Sequence, residues 1–250
     1  MSKIYLYGKN PLIEGIAVYK KTKKNFFEEI FLTKESAEDN KIMSVIQSAK
    51  LTYSVVTKSE IESMVGKDST HQGVCASLLE KSLYTELDEV LESLKTKDKS
   101  LVVLLDELQD PHNVGAIIRS AKAFNVDAIL IPEYNQTQIN GTVIKSSSGT
   151  NFSIPIVRIG NINTTLKKLK DNSFWIYGLT GKGDSKLNEI TFDTSTVIVI
   201  GSEGSGIKEK TLENCDFKLS ININKECESL NASVATAVTL YEWNRQNNLF

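Results

Sequence analysis

The 250-residue sequence predicts an α/β protein built as a smaller α/β domain followed by a larger one. Short apolar runs of strand length alternate with segments of helical period along the whole chain, the pattern of layered α/β folds. The clearest unit, Leu101 to Pro132, reads strand, loop, helix, strand, which is a βαβ unit. A polar run, Lys95-Thr96-Lys97-Asp98-Lys99, separates it from what precedes. The expected organisation is a small domain over 1–80, a helical linker over 81–99 and a second domain over 100–250.

In order, Lys3 to Tyr7 reads as a strand, and Asn10-Pro11 as a helix start, with Pro tolerated in the first turn. That helix runs to Lys20, Lys21, Lys23 and Lys24. These lysines suit either an RNA-binding patch or an exposed helix end facing its own dipole. Strands are expected at Glu29–Leu32, Leu51–Thr57 and Val74–Leu79, one helix over Ser36–Lys50, and a capped helix near Ser59 that stops at Gly66. In the second half, strands fall at Leu101–Leu105, Ala128–Ile131, Ile154–Ile159, Phe174–Leu179, Thr196–Ile200 and Phe217–Ile223. Helices carry Val114 to Phe124, Asn163 to Lys170 and Ile207 to Glu213, with a short one ending at Gly149. A long final helix, Ser229 to Asn247, places Val234, Ala237, Val238, Leu240 and Tyr241 at core spacing.

The formal net charge is −2, so no whole-chain electrostatic attraction to nucleic acid is expected, and any RNA is held by local patches. Cys75, Cys215 and Cys227 form no CxxC pair, which argues against a disulfide scaffold or a zinc site. His71 and His112 are the only histidines, too few for a histidine metal centre. With no leader pattern and no long apolar run, a cytoplasmic protein with no membrane partner is expected.

Three polar loops follow buried strands: Asp106 to Asn113, Gly201 to Gly206, and Asn222 to Asn231. Parallel strands would gather them at one sheet edge, where α/β proteins bind ligands. The glycine loop is spaced G-x-x-G-x-G, matching neither the dinucleotide fingerprint nor the phosphate loop, and Glu203 within it would repel phosphate. It reads either as a close backbone approach to a ligand or as a bare strand-to-helix turn.

The segments DELQDPHNVGAIIRSA, VIVIGSEGSGI and LSININKECESLNASVATAVTLYEW resemble, in order and spacing, the three signature motifs of the SpoU (TrmH-like) family of RNA ribose 2′-O-methyltransferases. The first half is similar to the RNA-binding domain of the subgroup that methylates a guanosine of large-subunit ribosomal RNA, through Ile4-Tyr5-Leu6-Tyr7-Gly8-Lys9-Asn10-Pro11 and His71-Gln72-Gly73-Val74. The resemblance implies a SPOUT-type, trefoil-knotted C-terminal domain, S-adenosylmethionine as cofactor, RNA as substrate and a homodimer. It places catalytic roles on Asn113, Arg119, Glu203, Ser229 and Asn231. It places cofactor contacts on Thr180, Gly181, Gly201, Ile221, Ile223 and Leu230. Two positions depart from the family pattern: Asn222 stands where proline is usual, and Ala232 where valine is.

Methyl transfer to a ribose hydroxyl is an in-line displacement whose rate comes largely from placement and from stabilising the developing alkoxide. A guanidinium is protonated throughout the physiological range, so Arg119 is expected to grip phosphate and alkoxide rather than to act as a base. Asn113 and Asn231 suit orientation of the ribose or of Arg119, or the capping of helices. Glu203 suits accepting hydrogen bonds from the loop, orientation of Arg119, or solvation in a turn. Three competing readings are a transfer-RNA methyltransferase, an RNA-binding module without activity, and another kind of nucleotide enzyme.

Overall fold

A computed structural model of the chain describes residues 3–247. It separates into two compact units: residues 1–84 with 139–153, and residues 85–138 with 154–250.

In the first unit, strands β1 (Ile4–Tyr7), β2 (Phe27–Leu32), β3 (Ser54–Val55) and β4 (Val74–Leu78) form one sheet in the order β1-β4-β2-β3. Strand β4 is buried along its whole length and runs antiparallel to both neighbours. Helix α1 (Lys9–Thr22) begins two residues earlier than Asn10-Pro11 implies, so Pro11 lies inside the first turn, where a missing N–H costs nothing. The single helix expected over Ser36–Lys50 is two, α2 (Lys34–Ala37) and α3 (Asn40–Ala49). Asp39 divides them by accepting the Lys41 and Ile42 amides as an N-cap. Thr57 and Glu60 form a reciprocal capping box on α4 (Lys58–Val65), which Gly66 ends at φ 92°.

Residues 139–153 belong to this unit although sequence order assigns them to the second. They form α7 (Gly141–Ser146) and a 3-10 turn at Thr150–Phe152. A Cβ at Gly141 would lie 2.5 Å from the Tyr5 carbonyl oxygen, so only glycine lets this backbone meet β1. The Phe152 ring packs on Phe26 at 4.9 Å between centroids.

The second unit contains a seven-stranded sheet in which every pairing is parallel. Its strands are β5 (Leu101–Asp106), β6 (Ala128–Pro132), β7 (Ile156–Ile159), β8 (Trp175–Leu179), β9 (Ser185–Lys186), β10 (Thr196–Gly201) and β11 (Phe217–Ser220). The order is β7-β6-β5-β10-β8-β11-β9. Strand β9 is one that periodicity misses, being only two residues long. The chain steps outward from β5 to β6 and β7 on one side, while β10, β8 and β11 lie on the other. Neighbours β5 and β10 therefore flank a topological switch point, where the loops at the strand ends diverge and leave a crevice.

One sheet face, carrying Val102, Leu104, Val197 and Val199, packs with Leu166 and Leu169 of α8 (Ile162–Asp171) and Val90, Leu91 and Leu94 of α5 (Leu87–Leu94). The segment that reads as a linker is thus part of this core. The helix expected over Ile207–Glu213 is shorter, a single turn α9 (Glu209–Leu212). The opposite face carries α10 (Ala232–Gln246), whose Trp243 Nε1 donates to Thr196 Oγ1 at 3.1 Å. Helix α10 lies parallel to α6 (Pro111–Ala123): Asn231 meets Asn113 at the N-terminal ends, and Asn244 Nδ2 donates to the Phe124 carbonyl at the C-terminal ends. Of the residues expected to face the core, Leu240 is fully buried and Ala237 half-buried, but three are not. The buried face holds Thr236, Thr239, Leu240, Trp243 and Asn244, while Val234, Val238 and Tyr241 are 49%, 40% and 50% exposed. Burial is tolerable for the threonines because Thr236 and Thr239 donate to the Ala232 and Ala235 carbonyls one turn back.

Candidate active site

Helix α6 starts where Pro111 takes the first helical position and Asp110 caps it, accepting from the His112 N–H at 2.9 Å. Capping is therefore not the work of Asn113, which is buried within the first turn. Asn231 does cap its helix: its Oδ1 accepts from the Ser233 and Val234 amides and from the Ser233 hydroxyl. The Gly201–Gly206 loop folds back on itself, with Ser202 and Gly206 exchanging backbone hydrogen bonds. A Cβ at Gly201 would stand 2.1 Å from the Gly206 carbonyl carbon, so glycine is required for the loop to close on its own backbone.

These three loops bring three side chains into one triangle. Asn113 Nδ2 donates to Glu203 Oε1 at 2.6 Å. Asn231 Nδ2 donates to the same oxygen at 2.6 Å and to Asn113 Oδ1 at 3.0 Å. Hydrogen bonds to an ionised acceptor are the strong kind, and here they join residues 90 and 118 positions apart in the chain. Both amides are committed to a single carboxylate oxygen, which leaves Glu203 Oε2 as an open acceptor.

The triangle stands between two cavities. The first, of about 440 Å³, is lined by Thr180, Gly181, Gly201, Ile221, Ile223 and Leu230, together with Glu203, Ser229 and Asn231. Its walls mix aliphatic side chains with backbone polar groups, the character of a cofactor site. The second, of about 310 Å³, lies against the Glu107–Asp110 loop and Asn113 and shares Ser202 and Glu203 with the first. Arg119 is apart from both. It lines neither cavity, is exposed on α6, and bonds to neither Asn113 nor Glu203, so the expected orientation of Arg119 by Glu203 is replaced by the triangle.

Two supporting residues escape a reading of the sequence. Asp106 is fully buried at the end of β5, and its Oδ2 accepts from the Lys208 N–H at 3.0 Å, pinning the exit of the glycine loop. A lone carboxylate closing an aliphatic strand is the available signal. Gln136 is buried and pairs with both backbone groups of Leu108, at 2.7 Å each. Nothing local in its polar surroundings marks it. Of the cysteines, burial pushes the Cys75 and Cys215 thiols up to about 12, so neither is a thiolate at neutral pH, while Cys227 lines the first cavity. Asn222, at the departure from the family pattern, donates through Nδ2 to Asn188 Oδ1 at 3.0 Å.

Comparison with known proteins gives the same picture. Residues 100–241 match the SpoU rRNA Methylase family, and residues 5–82 match the RNA 2′-O ribose methyltransferase substrate-binding domain. A protein of Staphylococcus saprophyticus ascribed to the TrmH family tRNA/rRNA methyltransferases is 35% identical over 249 residues, covering 99% of this chain and 98% of the relative. Among solved structures, the SpoU methyltransferase AviRb from Streptomyces viridochromogenes, in complex with AdoMet, has a TM-score of 0.83 at 20% identity, covering 99% of this chain and 91% of that one. The A. aeolicus TrmH/SpoU tRNA modifying enzyme has a TM-score of 0.54 at 29% identity, covering 68% of this chain and 84% of that one.

Proposed function

The chain belongs to the SpoU family of RNA methyltransferases, and from that premise we propose that it transfers a methyl group from S-adenosylmethionine to a ribose 2′-hydroxyl, with a guanosine of large-subunit ribosomal RNA as acceptor. The observation that carries the reading is the Asn113–Glu203–Asn231 triangle standing between two cavities. The first cavity suits the cofactor. Leu179, Ile200, Ile221, Ile223 and Leu230 offer apolar surface for a nucleoside, and Glu203 and Glu228 offer carboxylates for a cationic sulfonium and ammonium. When bound, S-adenosylmethionine supplies the methyl group on a sulfonium that leaves as a neutral thioether. In this reading the C-terminal chain takes the knotted arrangement of its fold family.

The protein's own work is then placement. Asn113 and Asn231, locked by Glu203, present fixed amide dipoles to the ribose, and Glu203 Oε2 is the open acceptor toward its hydroxyl. The hydroxyl proton leaves through phosphate or water as the methyl–oxygen bond forms and the methyl–sulfur bond breaks. Preorganised groups of this kind need no rearrangement as charge develops. Arg119 is exposed outside both cavities and takes a phosphate of the RNA as a cation. Arg119→Lys keeps the charge and removes the planar fork; most activity is expected to be lost, and a wild-type rate would rule this role out.

The first unit is the RNA-holding part. It carries thirteen lysines against ten carboxylates, and Lys20 of α1 reaches Ser48 of α3 at 3.0 Å, so the C-terminal ends of the two helices meet. Lys20, Lys21, Lys23, Lys24 and Lys50 therefore gather at one end of the unit. A second copy of the chain is placed on the exposed stripe of Val234, Val238 and Tyr241, which recur at helical spacing on α10. Tyr241→Glu is expected to yield a monomer by light scattering; an unchanged dimer would move the interface elsewhere.

Transfer RNA is the second acceptor reading, favoured by the 29% identity to the A. aeolicus tRNA modifying enzyme. Mapping ribose methylation in ribosomal and transfer RNA from cells with and without the gene separates the two. Loss of one 2′-O-methylguanosine from large-subunit ribosomal RNA is expected. Loss confined to transfer RNA, or no loss at all, contradicts the assignment.

A further inference from the structure

We infer that the second cavity seats the base of the acceptor nucleotide and that Glu107 reads that base by accepting its N–H donors, an inference that rests on the methyl-transfer reading above. The cavity opens at the switch point between β5 and β10 and shares Ser202 and Glu203 with the cofactor cavity. Groups held in the two cavities are neighbours across the triangle, which is the proximity that transfer between them needs.

The lining selects the chemistry. Glu107, Asp110 and Glu203 line the cavity; among the described residues no lysine or arginine lines it, though Lys208 pairs with Glu107. Such a wall repels phosphate and favours a neutral group rich in N–H donors. Of the parts of a nucleotide only the base meets both conditions, and proteins read unstacked RNA bases on their Watson–Crick edges. Guanine presents N1–H and N2–H₂ side by side, a match for carboxylate oxygens. Uracil presents one ring N–H between two carbonyl oxygens, which this wall repels.

The wall is also held stiffly. Glu107 sits at φ 62°, a left-handed conformation uncommon for a non-glycine residue, and its neighbours hold it there. The surroundings do so from two sides. Gln136 pairs with both backbone groups of Leu108, and the Thr137 hydroxyl donates to the Gln109 carbonyl. Lys208 Nζ pairs with Glu107 Oε1 at 2.5 Å, while its backbone N–H is held by Asp106. One oxygen of Glu107 is thereby fixed, leaving Oε2. Asp110 uses Oδ1 for its helix cap, leaving Oδ2. Two carboxylates on a braced loop thus line the cavity, each with one oxygen already held.

The test compares full-length wild type, Glu107→Gln and Asp110→Asn. The aspartate variant retains the oxygen that caps α6 and guards against a folding artefact at position 107. Labelled methyl transfer from S-adenosylmethionine is measured on ribosomal and transfer RNA from cells lacking the gene, with digestion to identify the methylated nucleoside. Calorimetry follows cofactor affinity in parallel. The expected result is label in 2′-O-methylguanosine and a KM for RNA raised about tenfold or more by Glu107→Gln, the worth of one hydrogen bond to a charged group, with cofactor affinity unchanged. Label in 2′-O-methyluridine, or wild-type KM in both variants, overturns the base-reading role while methyl transfer stands. Loss of cofactor affinity in Glu107→Gln also overturns it, because the wall would then serve the first cavity. A wild-type chain that transfers no methyl to either RNA removes the underlying reading and this one with it.

Discussion

The unit formed by residues 1–84 and 139–153 carries a net charge of +3, whereas the rest of the chain, with sixteen basic and twenty-one acidic residues, carries −5. The whole-chain value of −2 hides this division. Sequence-independent affinity for RNA comes from cations that displace counterions from phosphates. A methyl-transfer site has other needs: acceptors for N–H donors and an anionic surround for a sulfonium. In the proposed reading this separation gives the lysines of the first unit the backbone and leaves phosphate contact in the acidic second unit to Arg119.

Perturbing each unit alone should break different steps, and the largest effect is expected at the hub of the triangle. Glu203→Ala releases both amides and removes the carboxylate common to the two cavities. Single-turnover methyl transfer is expected to fall roughly 10²–10³-fold, the usual loss for one preorganised electrostatic group, while RNA affinity measured by filter binding stays at the wild-type value. A matching loss of RNA affinity would contradict the division. Gly201→Ala places a methyl group 2.1 Å from the Gly206 backbone and forces the loop open. Backbone displacement of this kind costs about 1–3 kcal/mol, so calorimetry should show S-adenosylmethionine affinity reduced roughly 10- to 100-fold, again with RNA binding intact. The smallest effect belongs to the first unit. Replacing Lys20, Lys21 and Lys23 by serine is expected to flatten the logarithmic salt dependence of RNA binding by about 0.7 for each phosphate left unneutralised. Turnover at saturating RNA should remain unchanged; an unaltered salt dependence would assign these lysines to the helix dipole alone.

Much of this molecule is legible in its sequence because strands and loops announce themselves locally. The aliphatic runs of β5 and β10 and the Gly201–Gly206 turn each follow from short-range chemistry, whereas α6 starts at Pro111, three residues before the expected Val114. The three loops can be grouped from the expectation of parallel strands, and the family resemblance supplies which of their residues to watch. What is illegible depends on partners distant in sequence. Residues 139–153 follow β6 in the chain but fill the first unit, since Gly141 and Phe152 answer to Tyr5 and Phe26. On α10 the expected Leu240 is buried, but Thr236 and Thr239 share the core because threonine can bond its own helix, and Val234, Val238 and Tyr241 are left outside it. Of the roles open to Glu203, accepting hydrogen bonds is the one seen, but from two amides on other loops rather than from its own loop or Arg119. Gln136 is invisible because its role is set entirely by the backbone of Leu108, 28 positions earlier.

If the triangle couples a donor cavity to a separate acceptor cavity, Asn113 is the residue that tests the coupling most directly, because it lines the second cavity and not the first. In Asn113→Ala, calorimetric affinity for S-adenosylmethionine and single-turnover methyl transfer to RNA should part company. Affinity is predicted to stay within about threefold of wild type, while the transfer rate falls roughly 10²-fold. Equal losses in both would show that the triangle serves cofactor binding alone, and an unchanged rate would show that it has no part in transfer.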